Sequence, residues 1–479
     1  MTPAPAAESN SPRIAPENDF EARRLIVLSK DCRRIAILPE PRTISLPVVH
    51  LRRRQRRAIQ LNEAVLLRWR LETYCLFSME AVNPVLPGYD VLHCSLTRSC
   101  FESPLRWLEL EALGSSTFSE PRDLRAVLES LLKIGDHRHE PRVGPFAVPG
   151  WPERVLDWIR GELSPQGWLP TGRYRQLHAS PKFALLRIET TDRAVWFKAV
   201  DRSKSYEMTV HGELARTLPE FVSPVLADHP EWNGWIMPDV EGTELEDAGD
   251  GAAWVRVAAS LADFQIASIA HMRSLLFAGC RDFRGESLAT LIDEFLATVE
   301  GVMASQSCRA PEPLGAREIA YLGSRLREAC AATTGLPEVI GTFDGNPGNV
   351  ILTAGGCTFL DWGEACIGSP FHTLHYLIEQ HRRLFPEDPE QRSRMLESFA
   401  TKWKGHLDTQ LMAKGLRFAP LLAAFAFAVA VIERSPAEKI ATTSTEPYFR
   451  SVVRRAYREA MLLRPGDTDV SARESYQSA

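Results

Sequence analysis

The sequence predicts an α+β chain with more than one core: a small α+β domain, then a β-rich segment, then a long α-rich one. Its 479 residues exceed one compact domain and suit about two to four. Alternating apolar runs cluster before residue 240, and amphipathic helical patterns dominate after it. The Gly/Pro-rich stretch from Val143 to Glu153, VGPFAVPGWPE, reads as a linker between the first domain and the rest. The expected divisions are a disordered leader at 1–19, an α+β domain at 20–148, a β-rich lobe with its connecting strand at 149–240, a helical lobe at 241–465 and a disordered tail at 466–479.

Along the chain, the leader is Pro, Ala, Ser and acidic residues without the apolar run of a secretory signal. ARRLIVLS and RRIAILP follow as an antiparallel strand pair across the polar KDC. The segment from His50 to Trp69 places Ile59, Leu61, Val65, Leu66 and Trp69 on one helical face. Its Arg52, Arg53, Arg54, Arg56 and Arg57 form the densest positive run, which in an acidic chain reads as a solvated helix start rather than an anion patch. YCLFSMEAV and YDVLHCSLT are two further strands joined by NPVLPG. This layout is similar to a Nudix domain, but the closely spaced helical glutamates that hold metal there are missing. Glu63 is the only acidic residue between His50 and Trp69.

Past the linker, FALLRIET and AVWFKAV form a hairpin around TDR, with RQLHASP closing a strand before it. YEMTVHGELARTL is helical, EWNGWIMPDVEG returns to a strand, and amphipathic helices then run to about residue 332. GNVILTAGGCTFLDWGEA interrupts them as a short β segment before helices resume. The most apolar run, Phe418 to Ile432, is shorter than the ~20 residues of a membrane span and reads as a buried helix.

Hydrophobic residues at 44% and charged residues at 24% exclude a collagen-like, coiled-coil or wholly disordered chain. With 56 Lys plus Arg against 61 Asp plus Glu, the net charge of -5 argues against nucleic acid as a partner. Nine cysteines without a C-x-x-C pair fit reduced thiols in a cytoplasm. No membrane association is expected.

Chemistry concentrates in GTFDGNPGNVILTAGGCTFLDWG, Gly341 to Gly363. Asp344 and Asn349 share one loop, a strand, a Gly-Gly turn and a second strand follow, and Asp361 stands just past the end, 17 residues after Asp344. A hairpin returns its two ends to one place, so two carboxylates and an amide oxygen can converge. These are hard ligands suited to Mg²⁺ shared with substrate phosphates.

At these positions the chain resembles the aminoglycoside phosphotransferase and choline kinase-like family, relatives of the protein kinases. Their loop reads H-G-D-x-H-P-G-N, followed by a strand pair and D-[FW]-G. Here TFDGNPGN and DWG match at Asp344, Pro347, Gly348, Asn349, Asp361 and Gly363, and the resemblance spans about residues 170 to 380. It implies a bilobal protein kinase-like fold, with a β-rich N-lobe and an α-rich C-lobe, behind the small α+β domain. It also implies ATP and Mg²⁺ as cofactors, with Asp344 as catalytic base and Asn349 and Asp361 as metal ligands. By the same resemblance Lys198 in VWFKAV contacts the α- and β-phosphates, and Glu207 pairs with it, Glu213 being the second choice. WIMPDVEG becomes the hinge, with Met237 behind the adenine, the Pro238 carbonyl and the Val240 N–H along its edge. RQLHASP has no G-x-G-x-x-G but offers His178 and Ser180 to the phosphates.

Two positions depart from the family pattern: Thr342 stands where it usually has His, and Asn346 replaces the second His. The expected function is ATP-dependent transfer of the γ-phosphate to a hydroxyl of a small molecule. The alternative is a catalytically degenerate kinase-like binding or scaffold protein, for which Thr342 is the best support. Glu379, Glu387 and Asp388 offer attraction to an amino sugar, though a solvated helix end accounts for them at least as well and is the favoured reading.

Overall fold

The computed structural model describes residues 19–53, 55–80, 86–95, 104–135, 144–306, 311–434 and 445–463. The expected leader, apart from Asp19, and the expected tail lie outside these residues. The chain divides into two compact units, Met1–Arg202 with Leu226–Asp239, and Ser203–Val225 with Val240–Ala479.

In the first unit, β1 (Phe20–Leu28), β2 (Arg34–Pro39), β3 (Ile44–Ser45), β4 (Val48–Arg52), β5 (Thr73–Met79), β6 (Gly88–Cys94) and β7 (Arg106–Glu109) make one sheet. β1 is antiparallel to β2, as expected, and to β4, but parallel to β6. Helix α1 (Arg57–Trp69) begins later than the apolar spacing suggests. His50 to Arg52 instead complete β4, because Phe20, Glu21 and Ala22 supply a strand partner that local sequence cannot reveal. α1 buries Ala58, Leu61, Val65 and Trp69, whereas Leu66 faces solvent. Arg57 of the basic run is held by Glu21 and Glu80, in keeping with a structural helix start.

Two further helices complete this part, α2 (Pro121–Gly135) and α3 (Trp151–Leu163). The Trp-Pro-Glu end of the expected linker is the first turn of α3, where Pro152 is harmless because an N–H there has no helical partner anyway. β8 (Pro170–Ala179), β9 (Ala184–Thr190), β10 (Val195–Ala199), β11 (Ala227–His229) and β12 (Gly234–Pro238) form a second, antiparallel sheet in the order β11-β12-β10-β9-β8.

One apolar cluster joins the two sheets, with Ile26, Leu28 and Phe77 on one side, Leu186, Phe197 and Ile236 on the other, and Trp151 and Ile159 of α3 among them. A single polar side chain stitches them as well. β5 carries a bulge between Cys75 and Phe77, and β8 one between Gln176 and His178. Buried Gln176 accepts from Cys75 N at 2.8 Å and donates to Cys75 O at 3.0 Å, so the amide stands in for a neighbouring strand at the sheet edge formed by β5. The same oxygen accepts from Asn62 Nδ2 of α1 at 3.2 Å.

The second unit opens with α4 (Tyr206–Thr217) and β13 (Thr243–Glu244), followed by α5 (Gly251–Ser268), α6 (Met272–Ala278), β14 (Arg281–Phe283), α7 (Gly285–Thr290), α8 (Ile292–Ala304) and α9 (Ala316–Ala332). Then come β15 (Val339–Thr342), β16 (Val350–Thr353), β17 (Gly356–Phe359), β18 (Ala365–Gly368), α10 (Pro370–Leu384), α11 (Pro389–Trp403), α12 (Thr409–Arg434) and α13 (Thr445–Leu462). Two small sheets, β13-β16-β17 and β14-β18-β15, carry the motif segment between the helices. α12 is long and apolar enough to cross a membrane by composition, yet Leu421, Phe425, Ala428 and Ala430 are fully buried in a core with α8, α9 and α13. It is the buried helix that its sequence suggests.

Both cores can be probed by unfolding. Gln176→Ala leaves the Cys75 N–H and C=O without their partner and should cost about 2–4 kcal/mol in urea unfolding. A loss below about 0.5 kcal/mol would show that the stitch is idle. On α10, burial pushes His372 down to about 4 and His375 down to about 3, the latter aided by the Arg455 guanidinium. Both folded values lie below the unfolded one of about 6.5. Above that pH both states are neutral; as pH falls toward 4, only the unfolded chain gains protons, so stability drops by up to about 1.4 kcal/mol per unit per histidine. The urea midpoint should therefore fall between pH 7 and 5, and His372→Phe should flatten the slope; a midpoint equal at both pH values contradicts this.

Candidate active site

The loop after β15 is built on local hydrogen bonds. Thr342 N donates to Thr373 Oγ1 of α10 at 3.0 Å, and that hydroxyl donates back to Thr342 O at 3.2 Å. Gly341 has no room for a side chain, since a Cβ would lie 2.7 Å from the same Thr373 Oγ1. Thr342 Oγ1 accepts from Asp344 N at 3.1 Å. Thus Thr342 itself fastens the residue expected to act as base, by a short hydroxyl rather than a ring. Beneath it, between Val257, Leu261, Leu377 and Thr342, lies a void of about 40 Å³.

Asp344 is then oriented from two sides. Its Oδ1 accepts from Asn346 N at 3.2 Å, and its Oδ2 accepts from Asn349 Nδ2 at 3.0 Å. Asn346, the other departure from the family pattern, caps the following turn by accepting from Gly348 N at 3.1 Å. Asn349 spends its amide N–H on Asp344, which leaves its carbonyl oxygen for a cation. Leu360 N donates to Asn349 O at 2.8 Å, so the far end of the β16–β17 hairpin is tied back to this loop.

Asp361 follows at once, with φ +63, a left-handed conformation that Asp tolerates better than most residues. Gly363 N donates to Asp361 Oδ1 at 3.4 Å. A Cβ on Gly363 would come within 3.0 Å of Glu207 Oε2 and 3.4 Å of Asp361 Oδ1, which explains the glycine of the D-W-G triplet. Buried Glu207, in the first turn of α4, therefore belongs to this neighbourhood. Glu213 is paired with Arg216 at 2.7 Å instead. Trp362 is buried in the core beside Phe264.

In the first unit, Lys198 is buried on β10, its Nζ 6.0 Å from the ring centre of Phe183 and 5.8 Å from that of Trp235. It does not lie on a solvated strand face. Met237 and Pro238 end β12 opposite Trp196 and Val195 of β10. Asp239 fixes the exit, its N–H donating to Ala194 O at 2.9 Å and its carboxylate accepting from Trp196 Nε1 at 2.6 Å and Arg187 Nη2 at 2.5 Å. Exposed His178 packs edge-on against Phe183, 4.5 Å between ring centres, and Ser180 Oγ accepts from Phe183 N at 3.0 Å. Val240 begins the next segment of the second unit.

Other contributors leave no local sequence signal. Thr373 is one, far along the chain from the loop it holds. Tyr206 donates to Gly363 O at 2.7 Å and accepts from Arg281 Nη2 at 3.0 Å, and Arg281 pairs with Glu364 at 3.5 Å. Glu246 lies 3.2 Å from where a Cβ on Gly348 would be. Of the acids considered for an amino sugar, Glu387 is exposed and the other two are otherwise engaged. Glu379 takes Arg382 at 2.8 Å and Arg455 at 3.3 Å, and Asp388 caps α11 through Gln391 N at 3.1 Å.

No curated protein sequence matches the chain. Among solved structures, the macrolide 2'-phosphotransferase MphH of Brachybacterium faecium is 16% identical, with 61% of this chain and 98% of that one covered at a TM-score of 0.42. A choline/ethanolamine kinase family protein of Mesorhizobium loti is 13% identical, with 68% and 100% covered at 0.45. A spectinomycin phosphotransferase, solved with ADP and spectinomycin, is 10% identical, with 64% and 98% covered at 0.40. Residues 197–406, the span that holds Lys198, Asp344, Asn349 and Asp361, match the phosphotransferase enzyme family.

Proposed function

We propose that the protein is an ATP-dependent, cytoplasmic phosphotransferase that moves the γ-phosphate to a hydroxyl of a small molecule. The observation that carries this reading is the hydrogen bond from Asn349 Nδ2 to Asp344 Oδ2. It aims a carboxylate that can accept the proton of an attacking hydroxyl and leaves an amide oxygen that would ligate a cation. Asn349 and Asp361 present hard oxygen donors, the set that suits Mg²⁺. With Mg²⁺ bound, the charge of the nucleotide phosphates is neutralised during transfer. Lys198 is assigned to the phosphates, with Glu207 as its acidic partner and His178 and Ser180 as further phosphate contacts. Met237, Pro238 and Val240 are assigned to the adenine. The chain's own work is positioning, because phosphoryl transfer asks mainly for alignment and electrostatic stabilisation.

The degenerate reading rests on Thr342, and the bond from Asp344 N to Thr342 Oγ1 weighs against it. The residue does the holding that the site needs. The cytoplasmic assignment is in keeping with the seven described cysteines, six of them buried, which form no disulfide with one another.

Asp344→Ala should abolish turnover while leaving the rise in melting temperature with Mg-ATP intact; appreciable residual turnover would remove Asp344 as the base. Asp361→Ala should lose the Mg-dependent part of that rise, which at about 100 times Kd is worth roughly 2.7 kcal/mol in the wild type. An undiminished rise would place the metal elsewhere. Thr342→Val, which keeps the shape but removes the acceptor for Asp344 N, should lower kcat about five- to tenfold with KM for ATP unchanged. An unaltered kcat would show that the hydroxyl is dispensable.

A further inference from the structure

A cavity of about 550 Å³ opens beside Asp344 within the second unit. It is lined by segments distant in sequence: the candidate loop, α10, α12 and α13. One wall is aromatic. Phe343 meets Tyr376 edge-on at 5.9 Å between ring centres, and Phe427 lies 6.1 Å from both Tyr376 and Tyr448.

The other wall is cationic, formed by Arg383 of α10 and by Arg455 and Arg458 of α13. Two carboxylates line the same cavity, Asp344 and Glu364. Asp344 is committed to the loop, and Glu364 faces Arg281 at 3.5 Å. Arg455 is fixed in place, near Glu379 at 3.3 Å and His375 Nε2 at 3.0 Å, with its guanidinium 6.0 Å from the Tyr376 ring centre. Arg383 and Arg458 are exposed and form no ion pair among the described residues. Glu459, the nearest further acid on α13, has its carboxyl raised by burial and is a weakened counter-charge.

We propose that this basin takes the acceptor, and that the acceptor is a hydroxyl compound with an anionic group, carboxylate or phosphate, on an aromatic or apolar body. The proposal rests on the reading of Asp344 as the base of a phosphotransferase. Guanidinium groups match carboxylate and phosphate by two parallel hydrogen bonds, and a flat ring suits the aromatic wall. A polyamine-like acceptor would have to lie against three guanidinium groups with its acids already engaged. This speaks against the amino-sugar attraction considered for Glu379, Glu387 and Asp388.

The test uses the full chain and four probes of one size: mandelate, phenyl phosphate, 1-phenyl-1,2-ethanediol and 2-amino-1-phenylethanol. Calorimetry reads the binding of all four at low salt, and ADP release with Mg-ATP is followed for the three that carry an alcohol, phenyl phosphate serving as a binding probe alone. At least one anionic probe should bind about tenfold more tightly than the diol, and the amine most weakly. Mandelate against phenyl phosphate separates carboxylate from phosphate. Arg383→Gln with Arg458→Gln should remove about tenfold of anion binding, leave the diol unchanged and leave the melting temperature as in the wild type. An amine that binds as tightly as the anions, anion binding untouched in the double variant, or binding of none of the four overturns the proposal. If Mg-ATP stabilises the protein and no anion preference appears, the acceptor proposal fails and the phosphotransferase reading stands. Anion binding lost in the double variant of a chain that Mg-ATP does not stabilise supports the basin and counts against the phosphotransferase reading.

Discussion

The candidate site depends on one backbone hydrogen bond, Leu360 N to Asn349 O. Without it, the loop bearing Asp344 and Asn349 and the turn bearing Asp361 are merely the two ends of a short hairpin. With it, the ends are held in register. The pairing of Val350 with Phe359 begins at the very next residues, so the site is an extension of the β16–β17 ladder rather than a loop assembled on its own. Rigid support of this kind is what a reaction governed by alignment requires. The left-handed backbone of Asp361 is tolerable for the same reason, since the ladder on one side and the Tyr206–Gly363 bond on the other leave little alternative.

This hairpin was legible in the sequence because everything that forms it is local. The Asp344 loop, the Gly355–Gly356 turn and Asp361 lie within one short segment, and the alternation of apolar residues between them declares the strands. The helices of the second unit were legible for a similar reason, each showing its apolar face at helical spacing. What could not be read was long-range. The strand identity of His50 to Arg52 comes from Phe20 to Ala22, and the hold on Thr342 comes from Thr373. Local pattern, left alone, extended α1 over residues that a distant partner claims for the sheet.

The same contrast explains Gln176. In the sequence it is an inconspicuous polar residue on a strand, and its amide matters only because β5 ends the strand order of its sheet, so that the Cys75 N–H and C=O take the amide in place of a further strand. A buried amide with both functions satisfied specifies one register, whereas an apolar residue there would permit several. The strands before residue 148 and the sheet bearing Lys198 thus share an apolar core and a polar key within one compact unit.

Net charge is a statement about the whole surface and says little about a cavity. The chain is acidic by five charges, yet the basin beside Asp344 gathers three arginines from two helices. The acids nearby do not cancel them, because each is already engaged elsewhere. Asp344 orients the loop, Glu364 faces Arg281, and Glu379 holds Arg382 and Arg455. A charge already paired contributes little field to a ligand, whereas Arg383 and Arg458 keep theirs. On the proposed reading, the chemistry of transfer and the choice of acceptor would be set by different residues. The hairpin would supply the first, and it is visible in a few consecutive letters; α10 and α13 would supply the second, which depends on how the helices pack.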